Sequence, residues 1–331
     1  MLKKKVKRIL ITGGAGYIGS HVAHLLIDKG FKVTIIDNLI NGNKKLAPKR
    51  ANFIKCDIVD TKKINSIFEK EKFSVVFHLA GLTSVDESIR LPKKYMFENY
   101  HKSKVFIKTC IKNEIKNIIF SSSASIYGRT KCKNISENHR LNPLNPYAKS
   151  KLLIEKYILN ESKKHKLKYI ILRYFNVAGA DKKKRTGLIS KNSTNLIKVL
   201  SEIISKKKKK IIINGKNYKT PDGTTVRDFI HVSDLADIHV RSMQYLNESK
   251  KSGIFNCGYG KGYSVLEIVK ILNKLSNNKI EYRFGPRRPR DISFSVSNSA
   301  KFGRLMEWKP KYDNIKIILK SAIEWEKKLK L

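Results

Sequence analysis

Acidic residues are scarce in this sequence of 331 residues: 27 Asp and Glu stand against 70 Lys and Arg, a formal net charge of +43. Such an excess raises the question of a polyanionic partner. The basic residues are dispersed, however, and the chain is also rich in Ile and Asn, a joint excess that points to coding bias rather than to a built patch. The dense run at 206–210 leads into the apolar Ile211, Ile212 and Ile213 and carries no interleaved aromatic on which a base could stack. No specific nucleic-acid partner is expected.

Cysteine is also sparse. Cys56, Cys110, Cys132 and Cys257 are widely spaced and form no CxxC pair, which excludes a zinc cluster and a small disulfide scaffold. Buried thiols in a reducing cytoplasm are the expectation. His21, His101 and His231 share no metal-ligand spacing, so no metal is expected. No apolar run approaches the roughly 18 residues of a membrane span. The basic start, residues 1–8, is followed only by Ile9 to Ile11 before a glycine turn, too short for a signal-peptide core. Glycine (18) and proline (8) are too few and scattered for a flexible linker, and no internal repeat is evident.

What is present is an alternation. Strand-like runs at 6–12, 32–37, 52–56, 74–80, 117–122 and 169–175 are separated by helical patterns at 17–29, 62–71, 92–113 and 147–164. Strands separated by helices in this way imply right-handed crossovers and a doubly wound parallel sheet of the α/β class, the Rossmann arrangement. After Asn176 the elements become short: helices near 195–205 and 314–328, a strand near Ile211, a segment from Asp228 into a helix near Asp234, and a capping box at Ser264 and Glu267. The expected division is a dinucleotide-binding domain, 1–176, and a smaller mixed α/β lobe, 177–331, from which some segments return to the main sheet. Trp308 and Trp325 read as packing residues.

The first strand ends in Thr12-Gly13-Gly14-Ala15-Gly16-Tyr17-Ile18-Gly19. Gly13, Gly16 and Gly19 allow a tight turn, close approach of a pyrophosphate and close helix packing, with the helix N-terminus facing the phosphates. Asp37 closes the second strand, where a carboxylate accepts from the adenosine ribose hydroxyls and repels a 2′-phosphate, so the cofactor expected is NAD. Tyr147 and Lys151 lie one helical turn apart, and a nearby ammonium is expected to lower the phenol toward neutrality. Ser121, Ser122 and Ser123 follow the preceding strand, where a hydroxyl can bond a sugar oxygen beside that phenol.

These residues carry a resemblance. From about residue 8 to about residue 326 the chain resembles UDP-glucose 4-epimerases, within the extended short-chain dehydrogenase/reductase group. The matching stretches are 11–21 (ITGGAGYIGSH), 37–39 (DNL), 120–128 (FSSSASIYG), 146–151 (PYAKSK), 172–179 (LRYFNVAG) and 222–232 (DGTTVRDFIHV). The last two are far more specific than the glycine loop. The resemblance implies Ser123, Tyr147 and Lys151 as the catalytic set. It implies a cofactor set that adds to the glycine loop and Asp37 the residues Tyr17, Ile18, Asn38, Asn41, Leu79, Ala80, Gly81, Thr83, Asn99, Ser121, Tyr174 and Phe175, with Asp57 and Ile58 at the adenine. Asn176, Asn195, Leu196, Asn214, Arg227, Arg288, Asp291 and Ser295 would join Ser123 and Tyr147 in holding a UDP-sugar. Arginines suit a diphosphate on physical grounds as well.

The implied activity is interconversion of UDP-galactose and UDP-glucose by transient oxidation at C4, with UDP-N-acetylhexosamines as further candidates because the small Ser295 stands where a tyrosine restricts the family's sugar range. The alternative is another extended short-chain dehydrogenase acting on nucleotide sugars: a decarboxylase, dehydratase or reductase. The Asp-Glu pair usual in dehydratases is replaced here by Ala124 and Ser125. The intact catalytic set argues against a non-catalytic binding protein. His78 resembles a structural histidine of the family. Homodimerisation through the helices near 92–113 and 147–164 is also implied. Departures from the family pattern are Thr83 for a common lysine, Asp86 for glycine, and Lys102 for a glycine, the last expected to disturb helix packing near the nicotinamide.

Overall fold

The computed structural model describes residues 7–130, 134–190, 193–205, 210–248, 251–276 and 280–329. Val6, Cys132 and the lysines of 206–209, each part of an expectation above, lie outside them. The chain falls into two compact units. One comprises the chain up to Ile126 with Asn145–Arg173 and Ala236–Phe255; the other takes Tyr127–Leu144, Tyr174–Leu235 and the chain from Asn256 on. A single boundary after Asn176 therefore does not describe the division. Residues 127–144 go with the second unit, and 236–255 with the first.

The first unit is built on a seven-stranded sheet. Its strands are β1 (Arg8–Thr12), β2 (Lys32–Asp37), β3 (Asn52–Lys55), β4 (Val75–His78), β5 (Asn117–Ser123), β6 (Lys168–Tyr174) and β7 (Gly253–Cys257), in the order β7-β6-β5-β4-β1-β2-β3. β1 to β5 are parallel, with Thr12 level with Ile36 on one side and His78 on the other. Ile9, Leu10 and Ile11 are wholly buried, as a parallel strand covered on both faces requires. The principal helices are α1 (Tyr17–Asp28), α2 (Thr61–Lys70), α3 (Lys102–Lys112) and α4 (Pro146–Lys164). Leu10, Ile36, Phe68, Val76, Phe106, Phe120, Ile154 and Ile171 form one continuous core between helices and sheet. The chain leaves β1 toward β2 and returns to β4 on the other side of β1. The strand order thus reverses at the carboxyl ends of β1 and β4, where α/β sheets of this kind place their ligands.

The helix expected over 92–113 is not uniform. A short turn, Pro92–Tyr95, runs into a π-helical segment, Met96–His101, before α3. Asn99, buried in the π segment, accepts from Leu82 N at 2.7 Å and donates to Leu82 O at 3.0 Å. This bulge is what turns its amide onto the loop after β4. A helix at Val85–Arg90, which the sequence reading did not anticipate, is capped by Ser84 and carries Asp86 and Glu87 in its first turn. Asp86 thus stands where a negative charge favours the helix start.

The second unit centres on the strand Val226–His231. It is antiparallel to Gly262–Ser264 and parallel to Asn176–Ala178 and Phe294–Ser297, which in turn pairs with Asn134–Ile135. Lys210–Asn214 and Glu281–Gly285 make a separate parallel ribbon. Helices Leu196–Ser205, Val265–Ser276 and Ile315–Lys328 enclose a second core with Leu200, Phe229, Leu272 and Leu319. The capping box closes: Glu267 N donates to Ser264 Oγ at 3.0 Å, and Ser264 N to Glu267 Oε2 at 2.6 Å. Trp325 donates to Leu188 O, and Trp308 meets Phe302 edge to face. Among the described residues no helix is long and apolar enough to cross a membrane, and no group of three His, Cys, Asp or Glu is placed to hold a metal ion.

Candidate functional site

The glycine loop turns directly off β1. Gly13 has φ +71, and a Cβ there would stand 2.7 Å from Ala80 N; a Cβ on Gly19 would stand 2.2 Å from Gly13 O. Neither position admits a side chain, because the loop packs backbone to backbone. α1 starts at Tyr17 with Gly16 as its N-cap, without a side-chain cap and without an acidic residue in its first turn. Its N-terminal dipole is therefore left to an anion.

Asp37 closes β2 beside this loop. Oδ2 accepts from Ala15 N at 3.0 Å and Oδ1 from Leu39 N at 2.8 Å. Burial raises its carboxyl above the usual range, and these backbone donors pull the other way. Asn38 donates to Asp57 Oδ2 at 3.0 Å, Asn41 is exposed on the following loop, and Ile58 is buried. After β4, Leu79 N donates to Thr12 O and Ala80 N to Thr12 Oγ1. A Cβ on Gly81 would lie 3.1 Å from Asn99 Oδ1 and 3.6 Å from Lys151 Nζ, so this backbone runs close to both. Thr83 is exposed.

The remaining chemistry of the first unit lies on β5 and α4. Ser123 ends β5 and accepts at Oγ from Ser125 N and Ser125 Oγ. Tyr147 and Lys151 stand in the first turns of α4, which Asn145 caps. Lys151 is buried, donates to Ser121 O at 2.9 Å and lies 5.0 Å from the centre of the Phe120 ring. Burial brings its ammonium down to about 8, against the pull of Glu155. The expected lowering of the Tyr147 phenol by Lys151 is not what the structure shows. Burial raises the phenol, a hydrogen bond with Ser123 opposes this, and the ammonium is committed to the Ser121 carbonyl.

Behind Lys151 lies a pair the sequence reading missed. Arg173 clasps Glu155 through Nε at 3.1 Å and Nη2 at 2.7 Å, Ser122 donates to the same carboxylate, and all three are buried. The signal was present, since Tyr147, Lys151 and Glu155 recur every fourth residue on one helix face. Lys102, just after the π-helical segment, is buried and ion-paired with Asp57 at 2.7 Å and Glu98 at 2.9 Å, which the sequence reading did not anticipate.

In the second unit Arg227, Asp291 and Ser295 are brought together. Arg227 Nη2 donates to Asp291 Oδ1 at 2.6 Å, and Ser295 is level with Arg227 on the adjoining strand. Tyr218, absent from the sequence reading, donates to Asp291 Oδ2 at 3.4 Å and carries the Arg287 guanidinium over its ring at 4.4 Å. Arg288 is exposed, its carbonyl accepting from Asp291 N. Asn176 donates to Asp228 O, and Phe175 N to Cys257 O; Tyr174 ends β6. Asn195 caps the helix that begins at Leu196 while donating to Val177 O. Asn214 ends the strand Lys210–Asn214, apart from the Arg227 group in the hydrogen-bond network.

Comparison with known proteins agrees with this geometry. The model of the NAD dependent epimerase/dehydratase family matches residues 9–258. A UDP-glucose 4-epimerase of Azospirillum brasilense is 38% identical over 322 residues, covering 97% of this chain and 92% of the relative. The crystal structure of a UDP-glucose 4-epimerase from Stenotrophomonas maltophila with bound NAD and formylated UDP-arabinopyranose superposes with a TM-score of 0.94 at 29% identity, covering 98% of this chain and 99% of that one. The UDP-Glc/GlcNAc 4-epimerase of Campylobacter jejuni gives a TM-score of 0.84 at 39% identity, covering 97% and 99%. Matched by the family model over residues 9–258 and by a relative of 38% identity over 97% of its length, the chain belongs to the NAD dependent epimerase/dehydratase family, in the group of its UDP-glucose 4-epimerases.

Proposed function

We propose that this chain interconverts UDP-galactose and UDP-glucose by inverting the sugar at C4 with a retained NAD, and that it also accepts UDP-N-acetylhexosamines. The observation that carries the reading is the assembly, in one unit, of the uncapped start of α1, the Asp37 carboxylate and the Ser123, Tyr147 and Lys151 set. The residues fit a dinucleotide. Gly13 and Gly19 leave no room for a Cβ, α1 offers an anion its bare N-terminus, and Asp37 presents a carboxylate and no cation for a 2′-phosphate. Gly13, Gly16, Tyr17, Ile18 and Gly19 would hold the pyrophosphate, Asp37 with Asn38 and Asn41 the adenosine ribose, and Asp57 with Ile58 the adenine. Leu79, Ala80, Gly81, Thr83, Asn99, Ser121, Tyr174 and Phe175 would line the rest.

When bound, NAD supplies a hydride acceptor at C4 and, once reduced, a donor to the opposite face of the 4-keto sugar, and the positive charge of its oxidised ring favours a phenolate. Tyr147 takes the proton of the sugar 4-hydroxyl and later returns it. Ser123, at the end of β5, would steady the oxygen beside the phenol. Lys151, held on Ser121 O, places a buried positive charge one turn from Tyr147. In the second unit Arg227 and Arg288 would meet the diphosphate, Asp291 the uridine, and Asn176, Asn195, Leu196, Asn214 and Ser295 the remainder of the UDP-sugar. The similarity to the UDP-Glc/GlcNAc 4-epimerase of Campylobacter jejuni supports the wider sugar range. A homodimer through α3 and α4 is part of the proposal, with Phe97 and Val105 exposed on and before α3. The cytoplasm is the compartment proposed, in keeping with buried free thiols at Cys56, Cys110 and Cys257.

The test is conversion of UDP-galactose to UDP-glucose by the purified protein without added cofactor, followed by product identity. Tyr147→Phe is expected to lose about a hundredfold or more of the rate, the contribution of a positioned general base. Full turnover by a folded Tyr147→Phe variant would refute the assignment.

A further inference from the structure

We propose that Lys102 is a positioning residue for the adenine end of the cofactor: its ammonium holds one oxygen of the Asp57 carboxylate, leaves the other for the exocyclic amine of the base, and so sets the preference for a 6-amino over a 6-oxo purine. This rests on the reading that Asp57 meets the adenine.

A lysine is rarely buried unless it is paired. The Lys102 side chain is 10% exposed and sits at the start of α3, just after the π-helical segment. Nζ donates to Asp57 Oδ2 at 2.7 Å and lies 2.9 Å from Glu98 Oε2, and it lies 5.6 Å from the centre of the Phe97 ring. Asn38 donates to the same Asp57 oxygen at 3.0 Å, while Val59 N reaches Oδ1 at 3.2 Å. Oδ2 is therefore filled by side-chain donors, and Oδ1, with a single backbone donor, can accept one more. The Asp57 side chain is 29% exposed, so a ligand can reach it.

The charges around Asp57 reinforce this arrangement. Glu98 comes from the π segment, Asp57 from the loop after β3, and Asp60 and Lys63 from the start of α2. One ammonium between two carboxylates leaves the cluster anionic, which accepts from an amine and repels a carbonyl oxygen. Burial works against the Asp57 carboxylate, but hydrogen bonds from Lys102 and Asn38 outweigh it, and the group ionises below the usual range. Without Lys102, Asp57 and Glu98 would lose the ammonium between them, and Asp57 would be held by Asn38 and Val59 N alone.

Holoenzyme loaded with NAD is challenged with nicotinamide hypoxanthine dinucleotide, whose purine carries a 6-oxo group, and the retained dinucleotides are quantified by chromatography. The exchange constant reads the base preference directly, with no need for turnover. Lys102→Met and Lys102→Gln are each expected to reduce the preference for NAD by about tenfold, the worth of one well-directed hydrogen bond. Lys102→Arg is expected to restore most of it, which a loss of packing alone would not explain. Asp57→Asn, whose amide can donate to a 6-oxo group, is expected to abolish or invert the preference. An unchanged constant in Asp57→Asn would overturn the placement of the adenine and the inference with it. A changed constant in Asp57→Asn with an unchanged one in both Lys102→Met and Lys102→Gln would overturn the role of Lys102 alone.

Discussion

Acidification should act on this fold through His78, and the size of the effect follows from its surroundings. The ring is wholly buried at the end of β4. Nδ1 is 2.8 Å from Thr12 Oγ1, and Nε2 is 2.8 Å from Ser103 Oγ. Thr12 Oγ1 already accepts from Ala80 N, so its own proton is available to Nδ1; this assigns the ring proton to Nε2, which donates to Ser103. Phe106 and Phe120 flank the ring at centroid distances of 5.1 and 5.7 Å. Burial, and then the charge of Lys151, holds the imidazole neutral and lowers its pKa to about 3. In the unfolded chain the same group titrates near 6.5. As pH falls from 6.5 the unfolded state takes up a proton that the folded state refuses, so stability is lost progressively until about pH 3.

Between pH 7 and pH 4 that loss spans about 2.5 pH units, or about 3 kcal/mol at roughly 1.4 kcal/mol per unit. Urea denaturation of the wild type and of His78→Gln at pH 7, 5.5 and 4 measures it. The glutamine amide offers one donor and one acceptor to the same hydroxyls, at a packing cost of about 1–2 kcal/mol that is independent of pH. Carboxylates held below their usual range, such as Asp57 and Asp222, also lose stabilisation on acidification, but equally in both proteins. The expected result is that His78→Gln loses about 3 kcal/mol less than the wild type between pH 7 and pH 4. Parallel declines would show that His78 takes up its proton within the fold, and the reasoning from burial would be wrong.

Glu155→Ala removes the carboxylate that the buried Arg173 guanidinium clasps and is expected to cost about 3–5 kcal/mol in urea denaturation; the combined change Glu155→Leu with Arg173→Met should cost far less, and equal losses would show that breaking the ion pair is not the cause. Asp37 beside a 2′-phosphate is a like-charge contact worth about 4 kcal/mol at an effective dielectric of 20, so NAD should outcompete NADP by at least about a hundredfold in exchange on the holoenzyme. Asp37→Ser should erase most of that margin, and an unchanged margin would move the ribose elsewhere. Ser295→Tyr should lower kcat/KM for UDP-N-acetylglucosamine relative to UDP-glucose by about tenfold or more, since a ring would replace a hydroxymethyl level with Arg227; an unchanged ratio removes Ser295 as the gate.

The parallel sheet was legible because strands covered on both faces read as unbroken apolar runs: Ile9 to Ile11, Val75 to Phe77 and Ile118 to Phe120. The glycine loop and Asp37 were legible because the turn between a strand and a helix fixes their places in the chain. The π-helical segment was not, since the pattern over 92–113 runs on through it. Within it Asn99 bonds Leu82, 17 residues away, on a loop that has no period. The ion pair of Lys102 was not legible for a similar reason, since its partner Asp57 lies 45 residues away. The phenol of Tyr147 was misjudged in sign, because spacing on a helix does not report the burial that raises it. In the second unit the strand Asn134–Ile135 is too short to carry any pattern.

Scarcity makes the acids the informative residues of so basic a chain. Dispersed surface lysines are screened within about 8 Å at physiological salt and mark no site. A buried carboxylate must be satisfied, and the manner in which it is satisfied separates two kinds. A carboxylate can accept roughly four hydrogen bonds. Asp228 takes the N–H groups of Tyr259, Gly260 and Ser297 and the Ser297 hydroxyl, which fills it; it is a structural brace. Glu155 takes three, two from the Arg173 fork and one from Ser122, and burial keeps its remaining acceptor from any ligand. Asp37 takes one N–H on each oxygen and keeps a further acceptor on both, the number that the two hydroxyls of a ribose require. Asp57 takes Lys102, Asn38 and Val59 N and keeps one, the number that an exocyclic amine requires. Open acceptor capacity alone does not separate Glu155 from Asp57, since each keeps one; exposure does, the Glu155 side chain being 2% exposed and that of Asp57 29%.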